Sequence, residues 1–189
     1  PETPAMEDVV VCGAALVKDE ARVTLWGVPD QPGAIHRIFA HVAEHNIVVD
    51  MIVQNVSKNG QTQVSFTVLR GDLHETLHVA REVAQEIGAG GVHHEDNVSK
   101  VSVVGVGMRT HSGVADRMFA ALASEEINIK MITTSEIKIS VLVDRDRAPD
   151  ALRAVHRAFL LHEAPASNST EHGSSGFTRK KSGSDSVAR

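Results

Sequence analysis

The chain has 189 residues, 42% of them apolar and 23% charged, which suits one ordinary globular domain or two small ones and leaves little room for a complete kinase or dehydrogenase. A formal charge of -5 and a pI near 6.1 provide no basic surface for nucleic acid, and six aromatic residues, five Phe and Trp26 with no Tyr, make no stacking platform for single-stranded bases. The single Cys12 excludes internal disulfides and a multi-cysteine zinc site. The longest apolar run, Val9 to Val17, is too short to span a bilayer, so no membrane partner is expected and the compartment read from the sequence is cytoplasmic. Because it begins at Pro1 instead of Met, the chain reads as a fragment or a processed product.

Residues 1–8, with two Pro and three acids, are expected to be disordered, as is the tail 162–189, rich in Ser and Gly. Next, Val9–Leu16 is a β-rich run with no partner close in sequence. Val23–Val28 reads as a strand, and Ile35, Ile38, Phe39 and Val42 recur at helical spacing. A strand over Ile47–Val56, the tight-turn dipeptide Asn59-Gly60 and an alternating strand Gln63–Leu69 follow. Leu73, Leu77, Ala80, Val83 and Ile87 then mark one face of a helix stopped by Gly88, and Gly91–Glu95 reads as a short strand.

The same order of elements then recurs: a strand at Ser99–Val106, a helix over Gly113–Ser124, strands at Ile127–Thr134 and Ile137–Val143, and a helix from Asp150 to Phe159. At an offset of 80 residues, seven of the 24 positions from Ala34 to Ser57 are identical, among them Arg37/Arg117, Phe39/Phe119, Met51/Met131 and Ile52/Ile132, which indicates duplication. The second copy lacks a final strand. Val9–Leu16 is the one unassigned β-rich run, so it is expected to complete the second copy, with the first copy inserted inside it; otherwise a sheet edge and an apolar face stay unpaired. The boundaries expected are 9–16 for that strand, 17–97 for the first unit and 98–161 for the second.

His74-Glu75-Thr76-Leu77-His78 has the spacing of a zinc-protease motif, but the two imidazoles flank the apolar stripe of a short helix and no third ligand follows, so no metal and no other cofactor is expected. Gly105-Val106-Gly107 lacks the third glycine of a dinucleotide loop, since Thr110 stands there. His111 beside Ser112 has no orienting third group. What remains are the two strand–loop–helix corners, Gly27–Gly33 and Gly105–Gly113. Free N–H groups at the following helix attract a small anion such as an amino-acid carboxylate, Asp30 or Asp50 could take its ammonium, and Gln54 and Asn55 could read its side chain. The alternative at these corners is a helix cap and turn with no ligand.

The runs Val23–Gly33, Asp50–Ser57, Lys100–Arg109 and Met131–Ser140 closely resemble, in order and separation, the regulatory region of aspartate kinase. That resemblance covers roughly Val9 to Leu161. It implies an α+β fold of two ferredoxin-like βαββαβ ACT domains, the first inserted in the second, each an antiparallel sheet with two helices on one face. It further implies a chain that is not itself an enzyme, a homodimer that binds lysine and/or threonine for feedback inhibition, and a partnership with an aspartate kinase catalytic chain or domain. Effector contacts carried over by motif fall on Asp30, Gly33, Ala34, Ile35, Asp50, Gln54 and Asn55 of the first unit. Asn128, Ile129, Ser135 and Glu136 of the second unit would complete a site shared between units, often across a dimer. The sequence departs from the family pattern at Ala34-Ile35, Ser112 and Lys130. A stand-alone amino-acid-binding module acting on an unrelated partner is the other reading.

Overall fold

The structure, a computed structural model, describes residues 11–55, 58–106 and 112–159. The segments 1–8 and 162–189 and most of the second corner, including His111 and the side chain of Ser112, lie outside the described residues. In chain order the elements are β1 (Val11–Pro29), α1 (Ala34–Glu44), β2 (Val49–Gln54), β3 (Gln61–Leu69), α2 (Leu73–Ile87), β4 (Gly91–Gly105), α3 (Ser112–Ser124), β5 (Met131–Thr134), β6 (Lys138–Asp144) and α4 (Ala148–Ala158). The strands form one sheet in the order β2-β3-β1-β4-β6-β5, and every pairing in it is antiparallel.

The N-terminal run pairs with the strand of the second copy, Ala14 opposite Val103 and Leu16 opposite Val101, while the later part of β1 pairs with β3, Val23 opposite Phe66. One difference from the sequence reading organises the molecule. Where the residues read as four strands, Val9–Leu16 with Val23–Val28 and Gly91–Glu95 with Ser99–Val106, the chain makes two long ones, β1 and β4, each passing through both copies. The polar stretches Lys18-Asp19-Glu20 and Asp96-Asn97 suggest breaks, but they contain no Gly or Pro to turn the chain. They are taken up as bulges, with register shifts between Val17 and Glu20 and between Glu20 and Arg22. An extra residue offsets the alternation, so the apolar positions of β1 facing helices are even early, Ala14 and Leu16, and odd later, Ala21, Val23 and Leu25.

Two cores follow. In the first, Val23, Leu25, Val64, Phe66 and Val68 meet Ile38 and Val42 of α1 and Val79, Ala80 and Val83 of α2, with Phe39 edge-on to Phe66 at 5.4 Å between centroids. In the second, Val101, Val103, Val141 and Val143 meet Met118 and Leu122 of α3 and Ala151 and Val155 of α4. Duplication extends to the backbone. Asn46 and Glu126, 80 residues apart, both take positive φ (56° and 53°) just after α1 and α3. Each helix closes with a matching pair of bonds, Asn46 N–H to Ala43 O and Ile47 N–H to Val42 O, then Glu126 N–H to Ala123 O and Ile127 N–H to Leu122 O. That closure keeps Ile47 and Ile127 out of the strands that the sequence assigns them to. At Asn59-Gly60 both residues have positive φ (55° and 74°), as a two-residue hairpin turn requires. Helix α4 starts at Ala148, before the expected Asp150, because Pro149 is tolerated in a first turn.

A third, smaller cluster of Met51, Val98, Met131 and Leu142 forms where β2 and β5, the two edge strands, come together at the middle of the molecule. None of the helices among the described residues is long and apolar enough to cross a membrane. Because β1 and β4 belong to both halves, damage to one core should destabilise both. Phe66→Ala, at a side chain with no exposure, is expected to cost about 3–5 kcal/mol. Urea unfolding followed by Trp26 fluorescence and by circular dichroism should still give one coincident transition; a second-unit transition left at the wild-type midpoint would contradict it.

Candidate functional site

The first corner is built by the end of β1 and the start of α1. A bulge at Trp26-Gly27, with Gly27 at φ 63°, turns Trp26 outwards to lie on Gly90 and Gly91, where a Cβ on Gly90 would collide with the ring. Asp30 is then fixed by its own N–H donating to Gly60 O at 2.9 Å, so the corner is tied to the β2–β3 hairpin. Gly33 follows at φ 93° and ψ -17°, a left-handed conformation suited to glycine, and caps α1 without any side-chain hydrogen bond or acid in the first turn. The Ala34 N–H is spent on Gln31 O (3.3 Å), so the partial positive charge of the α1 N-terminus is offered by the N–H groups of Ile35 and His36. Asp30 and Gly33 are exposed, Ala34 is buried and Ile35 half-buried against the first core.

The register of the sheet sorts the other candidates. Gln54 lies opposite Val64, at the same end of the sheet as the corner, and Asn55 is held next to it by N–H donation to Gln63 O (3.0 Å) and by the Thr62 hydroxyl donating to its carbonyl (2.5 Å). Both side chains are exposed. Asp50 sits at the other end of β2, roughly 13 Å from Gln54 at the rise of a strand. It faces the middle of the molecule, where Lys100 of β4 donates to it. Asn128 and Ile129 also lie at this middle junction, just before β5. Ser135 and Glu136 lie at the far tip of the second unit, in the β5–β6 hairpin, where the Ser135 N–H and hydroxyl are both spent on Lys138 O (2.7 and 3.3 Å). Within one copy the candidates thus fall into three groups: Asp30, Gly33, Ala34, Ile35, Gln54 and Asn55 at one tip, Asp50, Asn128 and Ile129 at the junction, and Ser135 and Glu136 at the opposite tip. The two tips are separated by most of the 19 residues of β1, a contour of roughly 60 Å.

Of the charges at the junction the motifs name Asp50 and Lys130 and leave out Glu20, Arg22, Glu95 and Lys100 as a group. Lys100, 8% exposed, donates to Glu20 Oε1 at 3.1 Å as well as to Asp50, and Glu20, 2% exposed, leaves its Oε2 without a partner. Beside them Arg22 pairs with Glu95 (2.9 Å) and donates to the backbone carbonyl of Lys130 (3.1 Å), while Lys130 reaches Asp144 (2.9 Å) and Glu95 (3.5 Å). The signal available in the sequence was Lys100 inside a β-rich run, whereas Glu20 and Arg22 lie in the polar stretch between two such runs. Between junction and first tip lies an open hollow of about 250 Å3 lined by Arg22, Thr24, Gln63, His93, His94 and Glu95, so none of the expected effector contacts line it.

His74 and His78 stand exposed on α2, with Glu75 turned to His45 (3.9 Å) and His78 to Glu82 (3.7 Å). No three His, Cys, Asp or Glu side chains among the described residues are grouped so as to hold a metal ion.

Lys130 carries a pH prediction. Its hydrogen bond to Asp144, with the charge of Glu95, outweighs burial and raises its pKa above the ordinary 10.5. A raised lysine contributes stability that is fully present below its unfolded pKa and is lost as pH rises through the folded value. The gap in urea midpoint between wild type and Lys130→Met should therefore hold steady from neutral pH to about 10 and close above about 10.5; a gap that widens in alkali would refute the assignment.

Known proteins bear directly on this arrangement. Patterns of the ACT domain match residues 22–88 and 101–159. The aspartate kinase Ask_LysC of Stutzerimonas stutzeri is 48% identical over 170 residues, which are 90% of this chain and 41% of that protein. The chain thus spans about two fifths of the length of the curated relatives it matches. Among solved structures, a chain from the aspartokinase alpha and beta subunits is 50% identical with a TM-score of 0.75, over 80% of this chain and 100% of that one. The ligand-free regulatory subunit of aspartate kinase from Thermus thermophilus is 44% identical with a TM-score of 0.75, over 79% of this chain and 98% of that one. With two ACT units on shared strands and likeness to whole regulatory chains, the protein belongs to the aspartate kinase family, as its regulatory ACT region.

Proposed function

We propose that the chain senses lysine and/or threonine for feedback control of an aspartate kinase catalytic chain or domain. The observation that carries this reading is the first tip: an α1 N-terminus with no side-chain cap behind left-handed Gly33, with Asp30 beside it and Gln54 and Asn55 at the same end of the sheet. The helix end suits an α-carboxylate, Asp30 an ammonium, and the two amides a polar side chain. A site that also includes Ser135 or Glu136 draws on a second copy, because one copy keeps the tips apart by the length of β1. The effector is then a component of the dimer contact, and its occupancy reaches the kinase through its differential affinity for two packings of that dimer.

Calorimetric titration of the chain with lysine and threonine, singly and together, with a sizing run at each end point, tests the reading. Saturable binding of at least one, with a larger dimer fraction when bound, is expected. Asp30→Asn should weaken that binding about 10-fold or more, the worth of a hydrogen bond to a charged group. No heat and no dimer shift with either amino acid would contradict the proposal.

A further inference from the structure

The Glu20–Lys100–Asp50 triad has no role in the amino-acid site as proposed, yet it places three charges in or against the interior. Buried ion pairs are seldom retained for net stability, since an apolar cluster of the same volume does as well. The duplication supplies a comparison. Arg22 stands 78 residues before Lys100 and Lys130 stands 80 after Asp50, so the two units hold related pairs: Lys100 with Asp50, and Arg22 with Lys130. In each pair a cation of a shared strand reaches across the junction to the start of the other unit's edge strand. The second lands on a backbone carbonyl, Lys130 O at 3.1 Å, which holds whatever the side chain does. The first lands on the Asp50 carboxylate, a side chain that is 35% exposed and that ties Lys100 to the start of β2. One brace is fixed and the other can be exchanged.

We propose that Lys100 is a positioning residue for the effector site: by holding Asp50 it sets the inner end of β2, and with it Gln54 at the strand's other end and Asn55 just beyond it. This rests on the amino-acid reading of the first tip and adds a route by which the second unit governs it. Lys100 belongs to the part of β4 paired with β6, Lys100 opposite Leu142, so a change in the second unit reaches β2 through this bond as well as through the packing of Met51 on Met131 and Leu142, and a ligand that shifts β2 acts back on both. The Glu20 side chain is 3% exposed and that of Asp50 is 35% exposed, so of the two bonds made by the ammonium the one to Asp50 is open to water and is the one able to yield.

The test uses the full chain and three variants. Lys100→Arg keeps the charge, Lys100→Met removes it, and Glu20→Gln/Asp50→Asn/Lys100→Met removes the whole triad without leaving a bare buried carboxylate. Two readouts are taken: amide exchange of Val49–Gln54 without ligand, and Kd for lysine and threonine by calorimetry. Exchange at Val49–Gln54 should rise several-fold in Lys100→Met and in the triple variant and stay near wild type in Lys100→Arg. The Kd of whichever amino acid binds the wild type should weaken at least about 5-fold in those same two, the lower end of ordinary coupling energies, and recover in Lys100→Arg. A triple variant with wild-type exchange over Val49–Gln54, or with faster exchange there and an unchanged Kd, overturns the proposal. If neither amino acid binds the wild type, the effector reading fails, and the exchange result alone then decides whether Lys100 positions β2.

Discussion

Everything in this fold depends on two strands that refuse to end. β1 and β4 run through both ACT units side by side, Val11 opposite Gly105 at one extreme and Trp26 opposite Gly91 at the other. A ferredoxin-like unit of some 75 residues has a small core and is marginal by itself. Sharing the two central strands lets each unit lean on the other. The same sharing fixes the geometry of function: the first unit presents its strand–loop–helix corner at one outer tip, the second its β5–β6 hairpin at the other, and the tips stay far apart in one copy. A site that needs both kinds of tip is therefore a property of an assembly.

The bulges in the middle of β1 and β4 set the second constraint. They bring Glu20, Arg22, Glu95 and Lys100 to a place where β2 and β5 also arrive with Asp50 and Lys130. Of these, Glu20 and Lys100 are buried, and removing one partner of a buried pair costs about 3–5 kcal/mol in an ordinary protein, whereas removing the pair together costs little. Such a junction responds to the position of the edge strands more sharply than an apolar contact does. The Met51–Val98–Met131–Leu142 cluster beside it tolerates small movements, because methionine fills space in several rotamers.

Much of this was legible in the residues. The 80-residue repeat, the Asn59-Gly60 turn, the Leu73–Ile87 helix and the missing last strand of the second copy each have a local physical cause, and Val9–Leu16 finds its partner for want of any other. The fusion of strands was not legible, because Lys18-Asp19-Glu20 and Asp96-Asn97 have the polarity of loops, and only tertiary pairing makes bulges of them. Nor was the division of the site. Motifs list Asp30, Asp50 and Glu136 as neighbours in function, whereas strand rise and register send Asp50 to the junction and Glu136 to the opposite tip. Lys100 sat inside a recognised motif as one polar letter among valines, and its burial became visible only when Glu20 and Asp50 were brought to it.

The central claim is that the shared strands make two units into one mechanical body. Native-state amide exchange in sub-denaturing urea tests it most directly, comparing the first-unit part of β1, residues 20–28, with the second-unit parts of β1 and β4, residues 11–17 and 98–105. The account predicts that all three open with the same free energy and the same urea dependence, converging on global unfolding. A second-unit segment that opens well below the global free energy while residues 20–28 remain closed would contradict it.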